Sequence, residues 1–331
     1  MDVNNPDEQL ELFGGMPATA GVHTRTLALW DTTFKYVRAK REKATEKVEI
    51  VYRPAGNYTL EIKPALVFRR GKTLAIYPGV REEMLVRALT YMAFQRRVET
   101  RIGQTRQGAT YLCVTFALSE VRKILKDHGH SYSVGQISEA IEVCGSTVLT
   151  FRCETDQKRA AIGGSIFQSW SELDDKGDTE GKTSMRRVVL HPMVTESVLN
   201  ETTRTIDFGR VMRLKTSLAR WIYDRLSHNF TQATKGAFLH RNGYTLSLAT
   251  IKAETGMTGE VKECARDVRD ALHELEESGV LQRGLPYDEA KQYGELTGGR
   301  PPLSNVTWTL YPSDSVAEDI IRENTERRKI Q

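Results

Sequence analysis

The sequence predicts an α+β protein: two tandem winged-helix (helix-turn-helix) domains behind a short disordered N-terminal tail. Three observations predict it. From Leu214 to Arg283 the chain runs apolar-periodic helix, Gly/Asn-rich turn, short helix, tight turn, long helix and strand-like segment, the order of a helix-turn-helix closed by a wing. A similar order of helices and strands occurs earlier, between residues 81 and 192, without obvious repetition of residues. The 331 residues, 39% hydrophobic and 27% charged, suffice for two soluble domains of ordinary size. The implied division is a tail over 1–20, an N-terminal winged-helix domain with a basic and β extension over 21–200, and a C-terminal winged-helix domain with a C-terminal helix over 201–331.

The tail comes first. Residues 1–17 hold four acids (Asp2, Asp7, Glu8, Glu11), no base, and end in Gly-Gly-Met-Pro, a composition that cannot build a core. Within it lies Gln9-Leu10-Glu11-Leu12-Phe13. Apolar residues in a segment without a core of its own act as a docking peptide when a partner's pocket buries them. QLELF resembles the pentapeptide with which bacterial polymerases and replication factors bind the sliding clamp. That resemblance implies Leu12 and Phe13 in the hydrophobic pocket and Gln9 at its rim, with Leu10 between them.

A basic, partly helical segment follows over Thr24–Lys47, then two strand-like runs, VEIVYR and YTLEIKPALV, about the turn Pro54–Asn57. REEMLVRALTYMAFQRRVETR reads as a helix burying Met84, Leu85, Ala88, Leu89, Met92 and Ala93. The strand ATYLCVTF leads to a second helix, SEVRKILKDHG, and a third from about Val134 to Cys144 places Ile137, Ala140, Ile141 and Cys144 inward. The strands STVLTFRCE, GSIFQSWSELD and MRRVVLHP complete the first copy. Its third helix exposes Gln136, Glu139 and Glu142, a poor face for phosphate. Its cations lie in the preceding helix (Arg122, Lys123, Lys126) and in the wing, where Arg152, Lys158 and Arg159 are candidate DNA contacts. This copy is expected to touch DNA backbone or another subunit rather than read bases.

The second copy is built differently. Leu214, Leu218, Trp221, Ile222 and Leu226 recur at helical spacing. SLATIKAETG is a short helix with Ser247 as N-cap and Gly256 past its end, and Lys252 on it is a further candidate contact. The long helix, from about Glu260 to Ser278, sorts into three stripes. Val261, Ala265, Val268, Leu272 and Leu275 form an apolar face. Lys262, Arg266, Arg269 and His273, spaced four, three and four, line a second. Glu263, Asp267, Asp270, Glu274 and Glu277 fall on the third. Cations segregated on one side of a third helix suit guanine edges and phosphates approached from that side. The net charge of +4 permits such a partner without demanding one.

In order and spacing these segments resemble the TrfA-type replication initiators of bacterial plasmids, within the two-winged-helix Rep proteins. The resemblance covers about 24–283. It rests on HTRTLALWDTTFKYVRAKREKA, on EAIEVCGSTVLTF leading to LDDKGDTEGKTSMRRVVL, and most on RLKTSLARWIYDRLSHNF through DVRDALHELEESGVL. It implies binding to iteron-type repeats in double-stranded origin DNA, melting of adjacent AT-rich DNA, and recruitment of host helicase, initiator proteins and sliding clamp. It further implies base reading by Lys262, Arg266 and Arg269, and an N-terminal domain that contacts the rest of each repeat or holds a homodimer.

Other signals point elsewhere and are weaker. GDTEGKT (Gly177–Thr183) is one residue short of a phosphate-binding loop and lacks an apolar strand before it. Asp127-His128-Gly129-His130 with Tyr132 resembles the site of rolling-circle nucleases, but glycine separates the histidines in a loop closing a helix. With no catalytic constellation, no metal site and no cofactor motif in view, a non-enzyme is expected. The alternatives are a winged-helix transcriptional regulator and, behind it, a rolling-circle Rep nuclease. No apolar run approaches the ~20 residues of a membrane span, the first residues lack a signal peptide's pattern, and Cys113, Cys144, Cys153 and Cys264 form no CxxC pair. A cytoplasmic protein with free thiols is expected.

Overall fold

The computed structural model describes residues 51–330 apart from 55–57, 70, 95–98, 105–109, 155–158, 174–184, 192–206, 231–232, 234–241 and 295–300. The tail peptide with Gln9, Leu10, Leu12 and Phe13, the basic segment 24–47, Lys158 and the loop Gly177–Thr183 lie outside the described residues. The chain divides into two compact units between residues 203 and 204, and both mix helix and sheet.

The first unit begins with β1 (Val51–Pro54) and β2 (Tyr58–Lys63), paired antiparallel. A single strand is expected from Tyr58 to Val67. Pro64 lacks the amide a ladder needs, and the chain turns there into a separate hairpin, β3 (Ala65–Arg69) and β4 (Lys72–Ile76). The helix α1 (Val80–Phe94) buries Met84, Leu85, Ala88, Leu89, Met92 and Ala93, as their spacing predicts. It does not run on to Arg101. Residues 99–104 instead form the strand β5 (Glu99–Gln104), where the β-branched Thr100 and Ile102 favour extension, and pair with β6 (Thr110–Ala117).

Two helices follow, α2 (Leu118–Asp127) and α3 (Val134–Ser146). A capping box starts α3: Ser133 accepts from the Gln136 amide while the Gln136 side chain accepts from the Ser133 amide. The strands β7 (Val148–Glu154), β8 (Arg159–Ser165), β9 (Phe167–Leu173) and β10 (Met185–Leu190) complete the unit. Among the described residues the strands order as β1-β2-β7-β8, β5-β6-β10-β9 and β3-β4.

That topology corrects two expectations. Arg152 and Arg159 do not lie in a wing continuing the helices; of the strands that carry them, β7 pairs back onto β2 and β8 pairs with β7. Arg152 faces Glu61 across the ladder at 3.0 Å. The hairpin that joins β6 is β9–β10. Nor does α3 present a bare acidic face. Val143 packs with Ala65, Val67 and Ile76 of the β3–β4 hairpin, and Arg81 of α1 donates to Glu139 at 3.0 Å. Strand pairing decides which helix faces stay open, and alternation alone does not reveal pairing.

The second unit runs α4 (Phe208–Arg213), α5 (Ser217–Asn229), β11 (Tyr244–Ser247), α6 (Leu248–Thr255), α7 (Val261–Glu277), β12 (Tyr287–Tyr293), β13 (Leu303–Leu310) and α8 (Asp314–Ile330). Its sheet is ordered β11-β13-β12, all antiparallel. Leu218, Ile222 and Leu226 of α5, Ile251 of α6 and Val268, Leu272 and Leu275 of α7 meet Leu246, Val306, Trp308 and Leu310 of the sheet in one buried core. Gly243 is required where the chain enters β11, because a Cβ there would stand 2.7 Å from the Leu310 carbonyl oxygen. The expected strand VLQRG is absent. Val280 and Leu281 are buried but form only an isolated bridge, Leu281 to Pro312. The strand after α7 is YDEAKQY, whose exposed, polar side chains carry no apolar alternation.

Candidate nucleic-acid interface

The helix α7 is placed by what stands behind and before it. Behind it, Cys264, Ala265, Val268, Ala271, Leu272 and Leu275 are buried, and small residues at 265 and 271 let neighbouring elements come close. Before it, Ser247 caps α6 by accepting from the Thr250 amide, and Gly256 ends that helix at φ 69°, a left-handed position suited to glycine. The Nζ of Lys252 donates to the Gly259 carbonyl at 2.9 Å, so this candidate DNA contact also ties α6 to the turn leading into α7.

At its far end α7 is held by an acid. Glu274 accepts from the Lys215 and Thr216 amides and, at 2.7 Å, from the Thr216 hydroxyl. Thr216 is itself the N-cap of α5, accepting from the Ala219 amide. One member of the predicted acidic stripe therefore joins two helices, and its negative charge lies at the positive end of α5.

The four predicted cations of α7 have different surroundings. Lys262 is exposed. Arg266 has 68% of its side chain exposed and only a loose approach, 3.8 Å, to the neighbouring Asp267. Arg269 is engaged. Its Nε donates to Glu289 of β12 at 2.7 Å and its Nη2 to the same carboxylate at 3.2 Å, a two-pronged geometry of the strong kind. His273 lies 3.6 Å from Glu276 and 3.4 Å from Glu277. Positive charge without a close acidic partner is thus concentrated in the first half of the helix, at Lys262 and Arg266.

Glu289 is the residue the sequence does not disclose. Besides Arg269 it accepts from the indole Nε1–H of Trp308 at 2.9 Å, across the ladder on β13, and stands 3.3 Å from Lys291. Burial pushes its carboxyl up, and the hydrogen bonds from Arg269 and Trp308 more than reverse that, so it sits below the usual carboxylate range. The same hydrogen bond raises Arg269 above its ordinary value. Nothing in the spacing of YDEAKQY, with two adjacent acids and one lysine, marks which acid faces the helix.

In the first unit, His128 closes α2, with its Nδ1 2.8 Å from the Ile124 carbonyl oxygen, and His130 stacks on Tyr132 at 6.3 Å between centroids. Both are placed by the turn between α2 and α3. Arg122, Lys123 and Lys126 are exposed along α2. Among the described residues no group of histidine, cysteine and carboxylate side chains is arranged to hold a metal, and no helix is long and apolar enough to cross a membrane.

No protein-family model and no curated protein matches the chain. Two crystal structures of domains 2 and 3 of RctB resemble it. One, of the selenomethionine derivative, has a TM-score of 0.47 and 11% identity over 81% of this chain and 91% of that one. The other has a TM-score of 0.42 and 10% identity over 84% and 94% respectively. At such identity and overlap the likeness carries nothing about activity or partners.

Proposed function

We propose that the second unit is a winged-helix module and that α7 enters the major groove of double-stranded DNA, with Lys262 and Arg266 as its base-facing side chains. The observation that carries this reading is their exposure on one side of the N-terminal half of a helix whose opposite side is buried. Recognition helices address base edges from that half. The hairpin β12–β13, with Lys291 half exposed, is the wing and touches the adjacent backbone. The first unit is a second winged helix built on α1, α2, α3 and β9–β10. Since the open side of α3 presents Gln136, Glu139 and Glu142 rather than cations, this unit contacts backbone or another subunit instead of reading bases.

The DNA is the iteron-type repeat of a plasmid origin, and the protein is a non-enzymatic replication initiator acting in the cytoplasm. This assignment is supported by the resemblance of the chain's segments to TrfA-type initiators and by the clamp-like QLELF. It would open the origin and recruit host helicase, initiator proteins and sliding clamp. The test is binding to duplex repeats from the DNA flanking the gene. Arg266→Ala and Lys262→Ala are each expected to cost about 1–3 kcal/mol on the specific repeat and to relax discrimination at one position, with a much smaller loss on random duplex. Equal loss on both duplexes would reduce these residues to phosphate contacts, and no loss on either would remove α7 from the interface.

A further inference from the structure

The three Lys and Arg side chains Lys262, Arg266 and Arg269 share the DNA-facing side of α7, yet Arg269 is turned onto a strand of its own unit. This inference rests on α7 being the DNA-facing helix. Arg269 gives Glu289 two hydrogen bonds, at 2.7 and 3.2 Å. Glu289 is fixed in turn by the Trp308 indole at 2.9 Å, and Trp308 is fully buried. The acceptor is therefore anchored to the core of the sheet rather than carried on a loose surface side chain. Arg269 keeps 36% of its side chain exposed, so it lies at the edge of the presented surface without being sealed from it.

We infer that Glu289 is a specificity-determining residue that withholds Arg269 from DNA. A guanidinium clamped by a carboxylate cannot serve a phosphate or a guanine edge without breaking a charge-assisted pair. Charge presented to the backbone raises affinity for every sequence alike, whereas base contacts separate right from wrong sequence. By neutralising one of three cations, Glu289 lowers attraction to random duplex and leaves discrimination to Lys262 and Arg266. Its carboxylate also sets a negative charge beside the groove, a repulsive element against non-specific docking.

The experiment uses the full-length chain, duplex repeat and random duplex of equal length, with salt titration. Glu289→Gln keeps an acceptor for Trp308 and removes the carboxylate from Arg269 and from Lys291 beside it, the double variant isolating the share of Arg269. It is expected to tighten random-duplex binding severalfold, to steepen the dependence of log affinity on log salt by about 0.9, and to shrink the ratio of specific to random binding. The charge-neutral double variant Arg269→Gln/Glu289→Gln is expected to return both affinities to within about threefold of wild type. It also carries the test if Glu289→Gln alone fails to fold by thermal melting. A double variant that loses tenfold or more on the specific repeat would make Arg269 a base reader and overturn the inference. So would a Glu289→Gln protein that folds and keeps the wild-type salt slope, or one whose gain persists in the double variant. Lys262→Ala and Arg266→Ala, run alongside, separate the two ideas. If they bind like wild type, the reading of α7 itself fails; if they lose specific binding while the glutamine variants contradict expectation, only the role of Glu289 falls.

Discussion

His191 follows β10 and is 3% exposed, with its Nε2 3.3 Å from where a Cβ on Gly164 would stand. Burial pushes its pKa down from 6.5 to about 4. The folded state therefore keeps the ring neutral over a pH range in which the unfolded chain takes up a proton. The stability this gives is fully present above pH 6.5 and is lost as the pH falls toward the folded value. Urea unfolding of wild type and His191→Gln at several pH values is expected to show a flatter profile for the variant. The two curves should converge by about 3 kcal/mol between pH 6.5 and 4. Parallel curves would mean that the ring takes up its proton as readily in the folded protein as in the unfolded chain. Arg269 makes a different point at the same scale. Spacing put it on the cationic stripe, and it is there, but a carboxylate from a distant strand decides its chemistry.

At the scale of the element, α5 and α7 form one support. Trp221 is 3% exposed on α5, between Leu218 and Ile222, and the Arg225 guanidinium lies 5.4 Å from its ring centroid. Arg225 is itself engaged by the Tyr244 hydroxyl at 2.9 Å and by Glu254. Trp221→Ala is expected to cost about 3–5 kcal/mol of stability, read by denaturant unfolding, and to weaken DNA binding because α7 loses its backing. A variant that unfolds like wild type yet binds no DNA would place Trp221 at the interface instead. The helices themselves were legible. Helix α7 spans Val261–Glu277 where about 260–278 is expected, and its apolar stripe lies in the core from Ala265 onward, Val261 being only partly buried. The strand β12 was not legible, because the residue it turns inward beside Trp308 is the acid Glu289, so no alternation of apolar and polar residues marks it.

For the whole molecule, the proposed function joins duplex binding by the second unit to recruitment through the tail. Leu12→Ala/Phe13→Ala is expected to leave binding to duplex repeats within about twofold, and to remove capture by purified sliding clamp, since docking peptides concentrate their energy in a few apolar anchors. Undiminished clamp capture would leave QLELF without a role. Loss of repeat binding together with thermal stability would mean that the two side chains pack on a unit of this protein.

By itself the sequence determined where most of the long helices lie, two of their N-caps and most of their buried faces. It did not determine that α1 stops at Phe94 or that α5 begins only at Ser217, after the separate helix α4. Ser133, Ser247, Gly256 and the apolar stripes of α1, α3, α5 and α7 all act within a few residues of themselves, so period and capping chemistry suffice to find them. Tertiary structure decided which faces remained open and which charges were committed. The extra hairpin β7–β8 returned to β2 and took Arg152 and Arg159 out of the expected wing. The hairpin β3–β4 took up Val143 of α3, and Arg81 engaged Glu139 on the same helix. Glu289, twenty residues along the chain from Arg269, met it across the turn between α7 and β12. The physical reason is common to all three. Strand pairing and ion pairing join groups far apart in sequence, and each partner looks the same in the sequence whether or not the other is present.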